Sequence, residues 1–261
     1  MPELPEVEMA RRYLDATALH QPIHRVTVKH QRILGNVSAA RLRERLVGKE
    51  FSESTRHGKY LFARTGEGWL VFHFGMTGRL AYFKSMDKEP EHDSLLFSFA
   101  NGYHLSYDCQ RLLGRINWAE SVESFIAQRQ LGPDALRVSQ EDFVERLGGK
   151  RGMVKSALMD QHAIAGIGNI YSDEILFQMD IHPQTGAHRL DRSVWQEMHG
   201  VAQDILREAI RRRAEPDDFP DSFLIPRREE GERCPRDGAS LQRVRVSGRS
   251  AYFCPRHQKK M

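Results

Sequence analysis

The stretch that decides the fold runs from residue 158 to residue 183, LMDQHAIAGIGNIYSDEILFQMDIHP. It reads as a helix ending near Asp160, a turn through Gly166, Ile167 and Gly168, and a second helix opening at Asn169. Such a turn presents the free N–H groups of a helix start, with an amide side chain among them, and anionic groups such as phosphate bind well there. The two glycines alone are weak evidence, because a purely structural helix-turn-helix uses the same residues. What lies on either side has to decide between the two.

Around this stretch the texture is helical. EDFVERL, GMVKSALMD and SVWQEMHGVAQDILREAIRRR carry apolar residues at helical spacing, with Ser139 and Asp142 capping the first and a Ser193 and Gln196 capping box expected to open the last. Upstream, QLGPDALRVSQ carries a Gly-Pro break that marks a domain boundary near residue 130. Before it, IHRVTVK, KYLFA, WLVFHFG, SLLFSFA and YHLSY are short, rich in β-branched and aromatic residues, and separated by turn residues, so they read as strands. Two helices interrupt that β-rich region: one from Leu4 to about Leu19, entered through Pro5, and one in SAARLRERLVG that Gly48 stops. The class is α+β, with expected domains at 1–130, 131–215 and 216–261.

The tail RCPRDGASLQRVRVSGRSAYFCPRHQ pairs two Cys-Pro-Arg-X knuckles across QRVRV, a Ser247-Gly248 turn and SAYF, the layout of a β-hairpin zinc ribbon. Its ligands would be Cys234, Asp237, Cys254 and His257, an unusual set because structural zinc sites favour cysteine. The competing reading is a metal-free hairpin with two buried cysteines. Arg243, Arg245 and Arg249 would project from it as phosphate ligands or as a solvated basic face.

Composition bounds the function. Over 261 residues, 39 Lys and Arg against 35 Asp and Glu give a charge of +4, which leans towards a polyanionic partner. Three scattered cysteines do not make a secreted disulfide framework. No run approaches the roughly 18 apolar residues of a membrane helix, and a cytoplasmic, nucleoid-associated protein is expected. The opening MPELPEVE places Pro2 just ahead of the first helix. Were Met1 removed, Pro2 would carry a secondary amine, which is a nucleophile.

PELPEVE, RHGKYL, HFGMTGRL, QLGPDAL, the 158–183 block and the terminal ribbon, in this order and spacing, resemble the formamidopyrimidine-DNA glycosylase and endonuclease VIII family across essentially the whole chain. PELPEVE favours the formamidopyrimidine branch. The resemblance implies an N-terminal β-sandwich with flanking helices and a helix-two-turn-helix domain ending in a zinc finger. It also implies a monomeric bifunctional glycosylase and AP lyase that acts on double-stranded DNA carrying damaged bases or abasic sites, with one structural zinc and no catalytic cofactor.

By the same resemblance Pro2 attacks C1′ of the damaged nucleotide and forms an iminium that drives β- and δ-elimination, while Glu3 is the general acid at the sugar ring oxygen. Lys59 contacts phosphate near the lesion, and Glu6, Lys155 and Glu174 support the active site, Lys155 near the flipped base. Asn169 and Arg249 clamp phosphate. Met76 fills the gap left by the extruded base, and Arg111 reads the opposite base. The second wedge loop departs from the family pattern: CQRLLG at 109–114 puts Leu113 in place of an aromatic wedge and Leu112 in place of a second arginine. The segment between Arg213 and Cys234 is shorter than the family's lesion-capping loop. Oxidised purines such as formamidopyrimidines are therefore the expected substrates, with oxidised pyrimidines or hydantoins, or a non-catalytic damaged-DNA binder, as the alternatives.

Overall fold

The computed structural model describes residues 2–260, so the state of Met1, on which a free Pro2 amine depends, lies outside the described residues. The chain divides into two compact units, Met1–Arg129 and Gln130–Met261.

The first unit opens with helix α1 (Leu4–Thr17) and holds strands β1 (Ile23–Val28) to β8 (Arg115–Ala119), with α2 (Ala39–Leu46) after β1 and α3 (Val122–Gln128) at its end. Two antiparallel four-stranded sheets form, in the orders β1-β6-β7-β5 and β2-β3-β4-β8. Here β2 is Glu53–His57, β3 Tyr60–Thr65, β4 Gly68–His73, β5 Arg79–Phe83, β6 Asp93–Phe99 and β7 His104–Asp108. Alternation fixes what each face buries. Leu61, Ala63, Leu70 and Phe72 of one sheet share a core with Val26, Phe97 and Leu105 of the other, closed by Val7 and Leu14 of α1 and Leu42 and Leu46 of α2. The opposite face of β3 and β4, through Phe62 and Val71, packs under Phe125 of α3. One sheet is thus covered on both sides.

Strands β2, β5 and β8 and helix α3 were not expected from the sequence. ESTRH is too polar to stand out, yet its register against β3 is unbroken from Glu53 to His57.

The second unit contains α4 (Gln140–Gly148), α5 (Val154–Leu158), α6 (Asn169–Gln178), α7 (Arg192–Arg211) and a hairpin of β9 (Gln242–Val246) and β10 (Arg249–Phe253). Ser139 caps α4 as expected, accepting from the Asp142 N–H at 3.1 Å. The expected Ser193 cap of α7 is corrected: Asp191 is the N-cap and Ser193 already lies inside the helix. Trp195, fully buried against Phe143, sets the helix start by packing. Helix α6 is buried almost all round, from Tyr171 to Phe177, which is why no amphipathic stripe marks it. The hairpin turn puts Ser247 and Gly248 at φ of 47° and 78°, the left-handed pair that a two-residue hairpin turn demands.

No helix among the described residues is long and apolar enough to cross a membrane.

In the first unit the backbones of residues 74–78 and 109–114 touch. A Cβ at Gly75 would lie 2.5 Å from Leu113 C and Gly114 N, and one at Gly114 would strike the Tyr107 hydroxyl. That hydroxyl donates to the His73 carbonyl at 2.9 Å. Gly114→Ala is expected to lower stability by about 1–3 kcal/mol through overpacking, read as a lower urea midpoint with unchanged slope.

Candidate active site and metal centre

In the first unit, Pro2 is half-buried and leads straight into α1. Glu3 is the N-cap and is fully buried. Its backbone N–H donates to Glu6 Oε2 at 2.8 Å, part of a capping box that holds the start of the helix. The two expected carboxylates are therefore locked to each other through the backbone of one turn, beside the residue expected to be the nucleophile.

Lys59 sits in the two-residue turn between β2 and β3, only 7% exposed. Gly58 precedes it at φ of 54°, a conformation that glycine supplies without strain. Arg56, which the sequence did not single out, braces this turn by donating from Nη1 to the Gly58 carbonyl at 3.0 Å. Its Nε lies 3.4 Å from Glu8 Oε2 of α1, so the helix carrying Pro2 and Glu3 is tied to the turn carrying Lys59. The motif RHGKYL contained this arginine, but only its partner on α1 reveals what it does.

The surroundings are cationic. Burial first, and then the charges of Lys59, Arg129 and Arg115, hold His73 down at about 4, so its ring is neutral at pH 7. Met76 and Leu113 stand out at 38% and 39% exposure from two loops whose backbones meet at Gly75 and Gly114, and Arg111 is exposed on the second of them.

In the second unit, Asn169 opens α6 and its Oδ1 has no hydrogen-bond partner among the described residues. Gln161 shapes the turn before it, donating to the carbonyls of Met159 and Ile167 at 2.8 and 2.7 Å and accepting from the Gly166 N–H. The expected place of Lys155 near a flipped base is corrected. Its side chain has no exposed surface, and Nζ donates to Asn169 O, Ser172 Oγ and Asp173 Oδ1 at 2.9, 2.9 and 2.6 Å. An ammonium so enclosed holds the start of α6 from behind.

Glu174 is also buried, accepting from Gln178 Nε2 at 2.7 Å and from the Ile225 N–H at 2.9 Å. Burial pushes it up to about 7 against those bonds. It thus holds the 216–233 segment to α6. Arg249 is exposed at the start of β10. The hairpin carrying it is fixed at its tip by Ser247 Oγ to Ser156 Oγ, 2.7 Å.

Cys234, Asp237, Cys254 and His257 bring one ligand atom each to within 4.8 Å of one another. Cys234 Sγ lies 3.4 Å from His257 Nε2, and Cys254 Sγ 3.3 Å from Asp237 Oδ2. Zinc bonds of about 2.3 Å to sulfur and about 2.0–2.2 Å to nitrogen and oxygen put tetrahedral edges at about 3.3–3.8 Å, so the residues fit the ion. Four protein ligands close the site, which makes the zinc structural. The two cysteines pack with Phe177, Leu224 and Leu241, so the ion would sit at the edge of a small apolar core.

Residues 1–116 match the family description formamidopyrimidine-DNA glycosylase N-terminal domain, residues 131–218 the H2TH domain of the same enzymes, and residues 231–259 the zinc finger found in FPG and IleRS. Curated relatives called formamidopyrimidine-DNA glycosylase include that of Pelotomaculum thermopropionicum, 33% identical over 99% of both chains. Another, from Streptococcus pyogenes, is 31% identical over 100% of this chain and 99% of its own. Among solved structures, Lactococcus lactis Fpg with abasic-site DNA superposes with a TM-score of 0.89 at 29% identity, covering 99% of this chain and 100% of that one. MutM with DNA containing carbocyclic 8-oxo-G reaches 0.90 at the same identity and coverage.

His73 makes stability depend on pH with a definite sign. Its folded value of about 4 lies below the ordinary 6.5, so the unfolded chain binds more protons in between and stability falls as the pH drops through that window. Urea unfolding at pH 7 and at about pH 4.5 should show the parent losing about 2–3 kcal/mol more than His73→Gln. The opposite slope from Glu174 is common to both proteins and cancels in the difference. Equal losses would mean that His73 charges freely in the folded chain.

Proposed function

The chain belongs to the formamidopyrimidine-DNA glycosylase family, and from that premise we propose which of its own residues carry out the removal of oxidised bases from DNA. It is a DNA glycosylase and AP lyase of base excision repair, and its partner is DNA containing damaged bases or abasic sites. It holds one structural zinc and needs no catalytic cofactor.

Pro2, freed of Met1, is the nucleophile. Its amine adds to C1′ as the glycosidic bond breaks and the base leaves with the bonding electrons. Glu3 delivers a proton to the sugar ring oxygen, which opens the ring to an iminium. That cation acidifies the C2′ proton, whose removal expels the 3′ phosphate; a second elimination expels the 5′ phosphate, and hydrolysis of the imine frees the amine. Lys59 holds phosphate at this site and Glu6 keeps Glu3 in place. The observation that carries the assignment is the buried Glu3, locked by Glu6, directly after Pro2 on a helix tied through Glu8 and Arg56 to the Lys59 turn.

Asn169 and Arg249 clamp phosphate from the second unit, while Met76 and Leu113 fill the gap in the stack and Arg111 meets the opposite base. Lys155 and Glu174 act from behind, on the start of α6 and on the 216–233 segment. Ring-opened formamidopyrimidines are the first substrate in this reading. Oxidised pyrimidines or hydantoins are the second, favoured by a capping segment whose Leu224 and Phe219 are buried within its own unit. This chemistry belongs at the chromosome, which supports a nucleoid location.

Borohydride trapping on a duplex with one abasic site tests the nucleophile without engaging lesion choice. Protein shown by mass to start at Pro2 should form a covalent adduct, and Pro2→Gly should lose it while still binding the duplex; equal trapping by the variant refutes the assignment. The same assay over a panel of lesions separates the two substrate readings. For the clamp, Asn169→Ala and Arg249→Ala should each weaken binding to all sequences alike; Arg249→Ala, which removes a charge, should also lower the slope of log affinity against log salt by about 1, while Asn169→Ala leaves that slope near the parent's.

A further inference from the structure

The metal centre uses only two thiolates, and one of its other ligands leans on a carboxylate outside the ligand set. His257 Nδ1 lies 2.7 Å from Asp180 Oδ1. An ionised carboxylate can only accept, so the proton resides on Nδ1, and Nε2, the atom 3.4 Å from Cys234 Sγ, is left with its lone pair towards the metal position. We infer that Asp180 is a positioning residue of the zinc site: it fixes the tautomer and ring orientation of His257 and raises the basicity of the nitrogen that binds the ion.

Where Asp180 stands supports this. It follows the end of α6, where the carbonyl ends of the helix disfavour a negative charge. Its φ of 56° is a conformation that side chains other than Asn and Asp adopt at a cost. A carboxylate in so unfavourable a place has two partners that offset it, His257 and Arg236, whose Nη1 donates to the same oxygen at 2.7 Å. Arg236 in turn donates from Nη2 to Gln178 O and Oε1 at 3.2 and 2.8 Å, and its guanidinium lies over the Phe177 ring. The carboxylate therefore cannot swing away from the imidazole without breaking a second set of bonds. Phe177 also meets the His257 ring edge-on at 4.9 Å, so the ring is held by packing on one side and by charge on the other. A directional ligand such as imidazole, whose second nitrogen carries a proton, gains from this support in a way that a thiolate, which has no proton to place, does not.

The inference rests on the four-ligand zinc site, and the test separates the two. Full-length protein is stripped, reloaded with zinc, and titrated against a chromophoric chelator, with circular dichroism at saturating zinc as the check on folding. Less than about half an equivalent bound by the parent overturns the zinc site and this inference with it. Asp180→Gly removes the carboxylate and suits the left-handed backbone, and should weaken zinc binding about 10- to 100-fold. Asp180→Asn keeps a neutral acceptor on the same backbone and should recover only part of that loss, leaving binding weaker than the parent's by about threefold or more. The discriminating arm is His257→Cys, whose thiolate has no proton for Asp180 to hold: there Asp180→Gly should change affinity by less than about threefold. Parental affinity in Asp180→Gly overturns the proposal, and so does an equal loss in the His257→Cys background, which would mark Asp180 as part of the scaffold only. Should Asp180→Gly fail to fold in the parent background, the Asn variant carries the comparison: a loss of about threefold or more that vanishes with His257→Cys supports the role, and parental affinity overturns it.

Discussion

Asp173 lies inside the second unit between two cations, and the positions of both Asn169 and Arg249 trace back to that arrangement. Lys155 Nζ reaches one carboxylate oxygen at 2.6 Å, and Arg228 reaches the other at 2.7 Å. Burial pushes the Asp173 carboxyl up while the two cations pull against it. Such an arrangement is weak evidence for stability, since desolvating the charges offsets much of their attraction; removing one member is costly, because it strands the others in a low dielectric. Its value here is geometric. Lys155 and Arg228 both also donate to the Asn169 carbonyl, at 2.9 and 3.3 Å, and Arg228 continues to Ser250 O at 3.4 Å, while Tyr252 N donates to Asp173. The turn before α6 and the strand that begins at Arg249 are thus registered against one buried carboxylate.

That network explains why a family of residues can be recognised while a member's task is misplaced. Lys155 falls where the resemblance expects a basic group near the lesion, but in the fold its ammonium faces inward, with no exposed surface. The start of α6 and the finger strand are both bonded to this network, and a fixed separation between a helix and a finger is hard to obtain from apolar packing alone. Directional, charge-assisted bonds supply it. Burial divides the group: Arg249 is exposed and Asn169 half-buried, while buried Lys155 and Asp173, with half-buried Arg228, are engaged in holding the elements that carry them.

Much of this was legible in the sequence. The strands with dense β-branched and aromatic content, the hairpin turn at Ser247 and Gly248, the Ser139 cap and the four metal ligands all carry local signals strong enough to survive without neighbours. What stayed hidden was relational. β2 is a strand because β3 offers it a partner, and ESTRH has no alternation to announce it. Ser193 has the right spacing for a cap, yet packing of Trp195 places the helix start at Asp191, one turn of logic that only the folded core contains. Arg56 and Asp180 lie 48 and 77 positions along the chain from the residues they brace, Glu8 and His257, and nothing in their own surroundings marks them.

The altered wedge loop shows the same rule from the other direction. Leu112 stands where the resemblance would place a charged residue, which reads as a loss. In the fold its φ is 48°, a conformation that costs an ordinary side chain about 1–2 kcal/mol, and its side chain is tucked against the core of the sandwich. Burying much of a leucine returns energy of about the same size. Arg115 Nη1 then donates to the carbonyls of Leu112 and Gly114 at 3.2 and 2.7 Å, so both sides of Leu113 are pinned. An exposed aromatic wedge can keep its direction by its own size and stiffness, whereas a leucine needs its backbone held. The inward turn of Leu112, the arginine on its carbonyl and the glycine contact with the neighbouring loop provide that hold. The substitutions at 112 and 113 therefore make sense as a pair, and Leu113 remains a rigid apolar projection beside Met76 even though neither position matches the expected residue.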